Sequence, residues 1–125
     1  MTLSADTKKR QLVVIRSTPY GSTMAKSSLD TALAFAAFDR PIDVLFLGKG
    51  VLQLVSTQDG KAIDSKTIGK QIASFPLYGI EHYYADEEAL RRFSLDANDL
   101  PPQVSALNKE NIRELIASHD HVLGF

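Results

Sequence analysis

The chain has 125 residues, enough for one domain with a core of its own and too few for two. Its 14 Lys and Arg stand against 15 Asp and Glu for a formal net charge of -1, with the positive residues scattered singly, which excludes the basic stripe of a direct nucleic-acid binder. It contains no cysteine, which excludes a disulfide, a thiolate nucleophile, a persulfide carrier and any cysteine metal site.

Residues 1–8 read as a flexible segment and residues 9–125 as a single domain. Met1 to Arg10 is polar, and no apolar run longer than a strand follows its Lys8, Lys9 and Arg10; it is neither a signal peptide nor a membrane span, and the expected compartment is the cytoplasm. Gln11 to Arg16 is a short β-branched, nearly continuous apolar run, which predicts a central strand covered on both faces. Ser17 to Thr23 packs hydroxyls, Pro19 and Gly21 into a loop, and Ala25, Leu29, Ala32 and Ala36 then recur at helical spacing. Asp39-Arg40-Pro41 breaks that pattern, and Ile42 to Leu47 makes a second strand, so the three elements describe a right-handed βαβ crossover.

Gly48-Lys49-Gly50 leads into Val51, Leu52, Leu54 and Val55, a helical turn folded against a neighbour. Ser56 to Lys61 reads as a surface loop, and Asp64 caps a helix that places Ile68, Ile72 and Phe75 on one face. Pro76 to Gly79 ends it, and Ile80 to Tyr84 predicts a third strand. Asp86, with Glu87 and Glu88 in the first turn and Arg91 and Arg92 in the last, suits the helix macrodipole and predicts a short helix to Phe93. Ser94 to Gln103 is a loop, Val104 to Leu107 a fourth strand, Asn108 the cap of a helix carrying Ile112, Leu115 and Ile116, and His121 to Phe125 a last strand. Strands thus alternate with helices, which implies an α/β three-layer sandwich with a mainly parallel sheet of about five strands.

The Ser17 to Thr23 loop offers hydroxyls and N–H groups to an anion. Pro19 removes one donor, however, and the glycine spacing matches neither a Walker loop nor the dinucleotide fingerprint, so a turn or a partner-contact loop is the plainer reading. Gly48-Lys49-Gly50 reads as a tight strand exit. His119 and His121 stand at the i, i+2 spacing that can share a metal, but neither they nor His82 come with a third ligand, and solvated or hydrogen-bonded histidines fit better. No nucleophile elbow surrounds Ser17 or Ser22. Tyr78, Tyr83 and Tyr84, with Phe75 and Leu77, are core packing or an interface, and the pattern leaves both open.

Four segments together resemble the DsrE/DsrF sulfur-relay family: the Pro19-Tyr20-Gly21-Ser22 turn, Phe46 to Leu54, Ala89-Leu90-Arg91-Arg92, and Asp120 to Phe125. The likeness spans roughly Lys9 to Phe125 and is strongest to its DsrF-like (TusC) branch, chiefly through Gly50-Val51-Leu52-Gln53-Leu54. It implies a subunit of a TusBCD-type sulfurtransferase complex, paired with TusB-like and TusD-like chains in a hetero-hexamer, a dimer of heterotrimers. That complex serves 2-thiolation of tRNA wobble uridine through a TusE-like acceptor. The family's sulfur-carrying cysteine lies just after the third strand, a place that falls at Ala85 here, so the resemblance implies no catalytic residue, cofactor or metal in this chain. Pro19, Tyr20, Gly21, Ser22, Gly50, Val51, Leu52, Leu54, Tyr78 and Tyr84 are the candidate interface residues, with Val51, Leu52 and Leu54 equally readable as core. The alternative is an independent flavodoxin-like protein that binds a small molecule or phosphate at the Ser17 to Thr23 loop.

Overall fold

The computed structural model describes residues 10–16, 30, 34, 42–55, 72–80, 83–96, 100, 101 and 103–124. Among them, five strands form one sheet: β1 (Gln11–Ile15), β2 (Ile42–Phe46), β3 (Tyr83–Asp86), β4 (Val104–Leu107) and β5 (His121–Gly124). All pairs are parallel, and the order is β4-β3-β2-β1-β5. The chain therefore steps one way across the sheet from β1 to β4 and then returns past β1. Right-handed crossovers in opposite directions deliver their connections to opposite faces, so this one reversal produces three layers.

The packing follows that rule. On one face, Val13, Ile15, Val44, Phe46, Tyr83 and Ala85 meet Val51 and Leu54 from the 3₁₀ turn Gly48–Val51 and α1 (Leu52–Val55). Ile72, Phe75 and Ile80 join them, as do Ala89 and Leu90 of α2 (Glu87–Arg92). On the other face, Leu12, Val14 and Leu45 meet Ile112 of α3 (Lys109–Ala117), with Tyr84, Leu107 and Leu115 packed around them. Each fully buried aliphatic side chain contributes about 2 kcal/mol. The α/β sandwich and the parallel five-strand sheet are as the alternation of elements predicts. In strand order it departs from the flavodoxin arrangement, where the first strand is flanked by the second and third; here β1 lies between β2 and β5.

The capping chemistry also follows the sequence. Asn108 Oδ1 accepts from the Asn111 N–H at 2.8 Å at the start of α3, and Asp86 caps α2. The third strand is displaced from its predicted span. Ile80 is buried but its N–H donates to the Phe75 carbonyl at 2.9 Å, closing the 3₁₀ turn Phe75–Tyr78, and among the described residues the first paired with β2 is Tyr83. Gly79 completes this reversal at φ +86°, a backbone conformation that favours glycine. The readings of Ser17 to Thr23, Ser56 to Lys61, Asp64, Ile68 and His82 lie outside the described residues.

At the amino end of the sheet, polar groups tie β1, β2 and the α3–β5 turn together. His119 lies in that turn, just before β5, with its side chain fully buried. Its Nε2 is 2.6 Å from Asp43 Oδ2 and its Nδ1 2.6 Å from the Leu115 carbonyl, so both ring nitrogens lie within hydrogen-bond distance of a partner. Arg10 Nη2 donates to the same Asp43 oxygen at 3.0 Å, while the Arg10 N–H donates to Asp120 Oδ2 at 2.8 Å. His121 is exposed and does not share this site; a hydrogen-bonded His119 and an exposed His121 are in line with the reading favoured by the sequence over a shared metal. Breaking a buried pair leaves the surviving partner desolvated. Asp43→Ala is expected to cost about 3 kcal/mol of stability, read as the midpoint shift in urea denaturation.

Tyr83 and Tyr84 occupy opposite faces. The Tyr83 ring meets Phe75 edge-on at 5.3 Å and Phe46 at 6.2 Å, and burial pushes its phenol above the ordinary value of 10.0. Tyr84 is raised too, by burial first and then by the Asp43 carboxylate, against the lowering effect of Arg10. The folded chain therefore keeps phenolic protons that the unfolded chain has lost, and stability present below pH 10 declines as pH rises through the folded values. Denaturation midpoints measured across that range should fall, and ultraviolet titration should show these phenols ionising late.

Candidate functional site

The carboxyl ends of β1, β2 and β3 form the edge where an open parallel sheet places its functional loops. Its geometry starts from close approach. A Cβ on Gly50 would stand 1.9 Å from the Ile15 carbonyl oxygen and 2.7 Å from its carbon, so the 3₁₀ turn lies directly against the end of β1. Two hydrogen bonds hold it there: the Leu47 N–H donates to the Ile15 carbonyl at 2.9 Å, and the Gly50 N–H to the Leu47 carbonyl at 2.9 Å.

Gly48 takes φ +54° and directs its N–H at Asp86 Oδ2, 3.2 Å away. The other Asp86 oxygen accepts from the N–H groups of Glu88 at 3.2 Å and Ala89 at 3.5 Å. One carboxylate thus caps α2 and fastens the β2 exit to the β3 exit. The cap is legible in the sequence; the link to Gly48, 38 residues away, is not, because only the parallel register of Phe46 with Ala85 brings the two exits together.

The place expected for a sulfur carrier lies in this region. Ala85 is the penultimate residue of β3 rather than the residue after it, with Phe46 and Ala106 as its register partners. It is fully buried and faces the core layer of Val44 and Phe46. A methyl group has no sulfur to offer, and its direction is inward.

The structure also redistributes the candidate interface. Val51 and Leu54 are fully buried within this chain, so their side chains have no surface for a partner and the core reading holds for them; Gly50 is buried as well. Leu52 and Tyr84 are half-buried, the latter packed on the α3 face. Pro19, Tyr20, Gly21 and Ser22 lie outside the described residues, as does the Tyr78 side chain. Leu77, in the 3₁₀ turn before β3, is 85% exposed. Among the described residues no group of three or more His, Asp or Glu could hold a metal, and no helix is long and apolar enough to cross a membrane.

Substitution at the edge should separate its two supports. Gly50→Ala forces the turn away from β1 and is expected to cost about 3 kcal/mol, whereas Asp86→Ala, losing a cap and one link, should cost about 1–2 kcal/mol. Thermal denaturation of both variants beside the wild type measures the difference.

Comparison with known proteins places this architecture. The DsrE/DsrF-like family model matches residues 9–125. A protein named TusC homolog from Pseudomonas aeruginosa is 30% identical over 112 residues, covering 90% of this chain and 94% of that protein. One of the same name from Vibrio parahaemolyticus is 33% identical over 112 residues, with 90% and 95% covered. Among solved structures, the ychN protein of E. coli superposes with a TM-score of 0.76 at 16% identity, covering 94% of this chain and 99% of that one. A conserved protein of unknown function from Bacteroides thetaiotaomicron gives 0.68 at 16% identity with both chains covered in full. With the family model spanning the whole sheet and the curated relatives aligned over nine-tenths of the sequence, the chain belongs to the DsrE/DsrF-like family.

Proposed function

We propose that this chain is a non-catalytic subunit of a TusBCD-type sulfurtransferase complex, acting in the cytoplasmic sulfur relay for 2-thiolation of tRNA wobble uridine. The observation that carries the reading is the combination of family membership with a sequence that contains no cysteine. Persulfide transfer moves a sulfur atom from one thiolate to the next, so a chain without a thiol takes part through its surfaces. The TusC name of its relatives and the buried alanine at position 85 support the same assignment.

In this reading TusB-like and TusD-like chains are the partners, in a dimer of heterotrimers, and a TusE-like acceptor receives sulfur from the cysteine-bearing sister. Leu77 is 85% exposed and stands outside the core that the described residues form. Because Leu77 is largely exposed, its substitution tests a surface contact without disturbing the described core.

Co-expression with the cysteine-bearing sister and its neighbours, followed by native mass spectrometry, tests the proposal. A hetero-hexamer containing this chain is expected. Leu77→Asp should weaken assembly about tenfold while the circular dichroism of the isolated chain stays native, whereas Leu54→Asp should unfold the chain itself. A chain that remains alone or associates only with itself would contradict the assignment.

A further inference from the structure

The two ends of the sheet treat their cations differently. At the amino end, Arg10 is bonded to Asp43. At the carboxyl end, Arg16 follows β1 and Lys49 sits in the turn after β2, both exposed, and among the described residues neither lies within ion-pair distance of a carboxylate. Asp86, the carboxylate of that edge, is occupied by three backbone N–H groups.

The Arg16 guanidinium has a seat. A Cβ on Gly124 would stand 3.2 Å from Arg16 Nη2 and 3.9 Å from its Cζ, so the side chain lies over the bare backbone at the end of β5. β1 and β5 flank the point where the strand order reverses, the crevice in which open α/β sheets bind ligands. The backbone of Gly50 closes on Arg16 as well, its Cβ position 3.2 Å from Arg16 Cα, which sets Lys49 one residue from that contact.

We infer that Arg16, seated on Gly124, and Lys49 form an anion-recognition site at the β1/β5 reversal that takes one compact anionic group, a sulfur anion or an oxyanion. An arginine lying along bare backbone offers a planar fork of donors, and a neighbouring lysine adds charge without geometric demand. The group has two sources: a free small anion, or a thiolate or persulfide presented by another protein. The second source rests on the relay reading above.

Two arms test the inference. In the first, the isotope-labelled full chain is titrated with sodium thiosulfate and, separately, sodium phosphate, and the Gly124 amide is followed by NMR. A saturable shift is expected, with affinity about tenfold weaker in Arg16→Ala and in Lys49→Ala. Shifts that never saturate, or that match the wild type in both variants, indicate an adventitious ion only and overturn the site. In the second arm, the assembled complex is used and alkylation of the sister's cysteine is measured against pH. A protein-borne sulfur anion at Arg16 predicts that Arg16→Ala raises the midpoint of that profile while the mass of the assembly is unchanged. An unmoved midpoint in an intact assembly overturns the protein-borne source. A wild-type chain that forms no assembly defeats the relay reading, and the first arm still decides the site.

Discussion

The contact between Gly50 and the carbonyl of Ile15 sets the terms for the rest of this structure. A turn that lies against the end of β1 has room for backbone and none for a side chain. Because it lies there, Val51 and Leu54 enter the core beneath it and Gly48 points its N–H at Asp86. Asp86 in turn starts α2, whose Ala89 and Leu90 close the same layer. One close approach therefore fixes the geometry of three strand exits, the edge on which a DsrE/DsrF-like domain presents whatever it has to present.

Much of this was legible in the residues. β1 and β2 declare themselves as β-branched runs without a wet side, and the fold buries both almost entirely. The charges of α2 and the asparagine before α3 mark their helices because capping and dipole effects act within one turn. The start of β3 was not legible. Ile80 is as apolar as a strand residue, but its backbone is committed to the preceding turn.

The limits of the sequence are clearest where partners are distant. His119 and Asp43 are 76 residues apart, and nothing in local spacing joins them. Val51 and Leu54 show the complementary problem: periodicity says that a side chain is covered, and only the fold says that its own chain covers it rather than another. The seat of Arg16 on Gly124 is of the first kind, created by the return of β5 to the side of β1.

The domain's amino end is closed by matched charges and its carboxyl edge is held by backbone contacts, so the fold stands without a reactive group of its own. In the role we propose, such a surface would stand beside chemistry that a sister supplies. The most direct measurement is the wobble 2-thiouridine content of tRNA, by mass spectrometry, from cells lacking only this chain. The account predicts that the modified nucleoside is lost and that the wild-type chain restores it. An unchanged level, in cells where deleting the cysteine-bearing sister abolishes the modification, would contradict it.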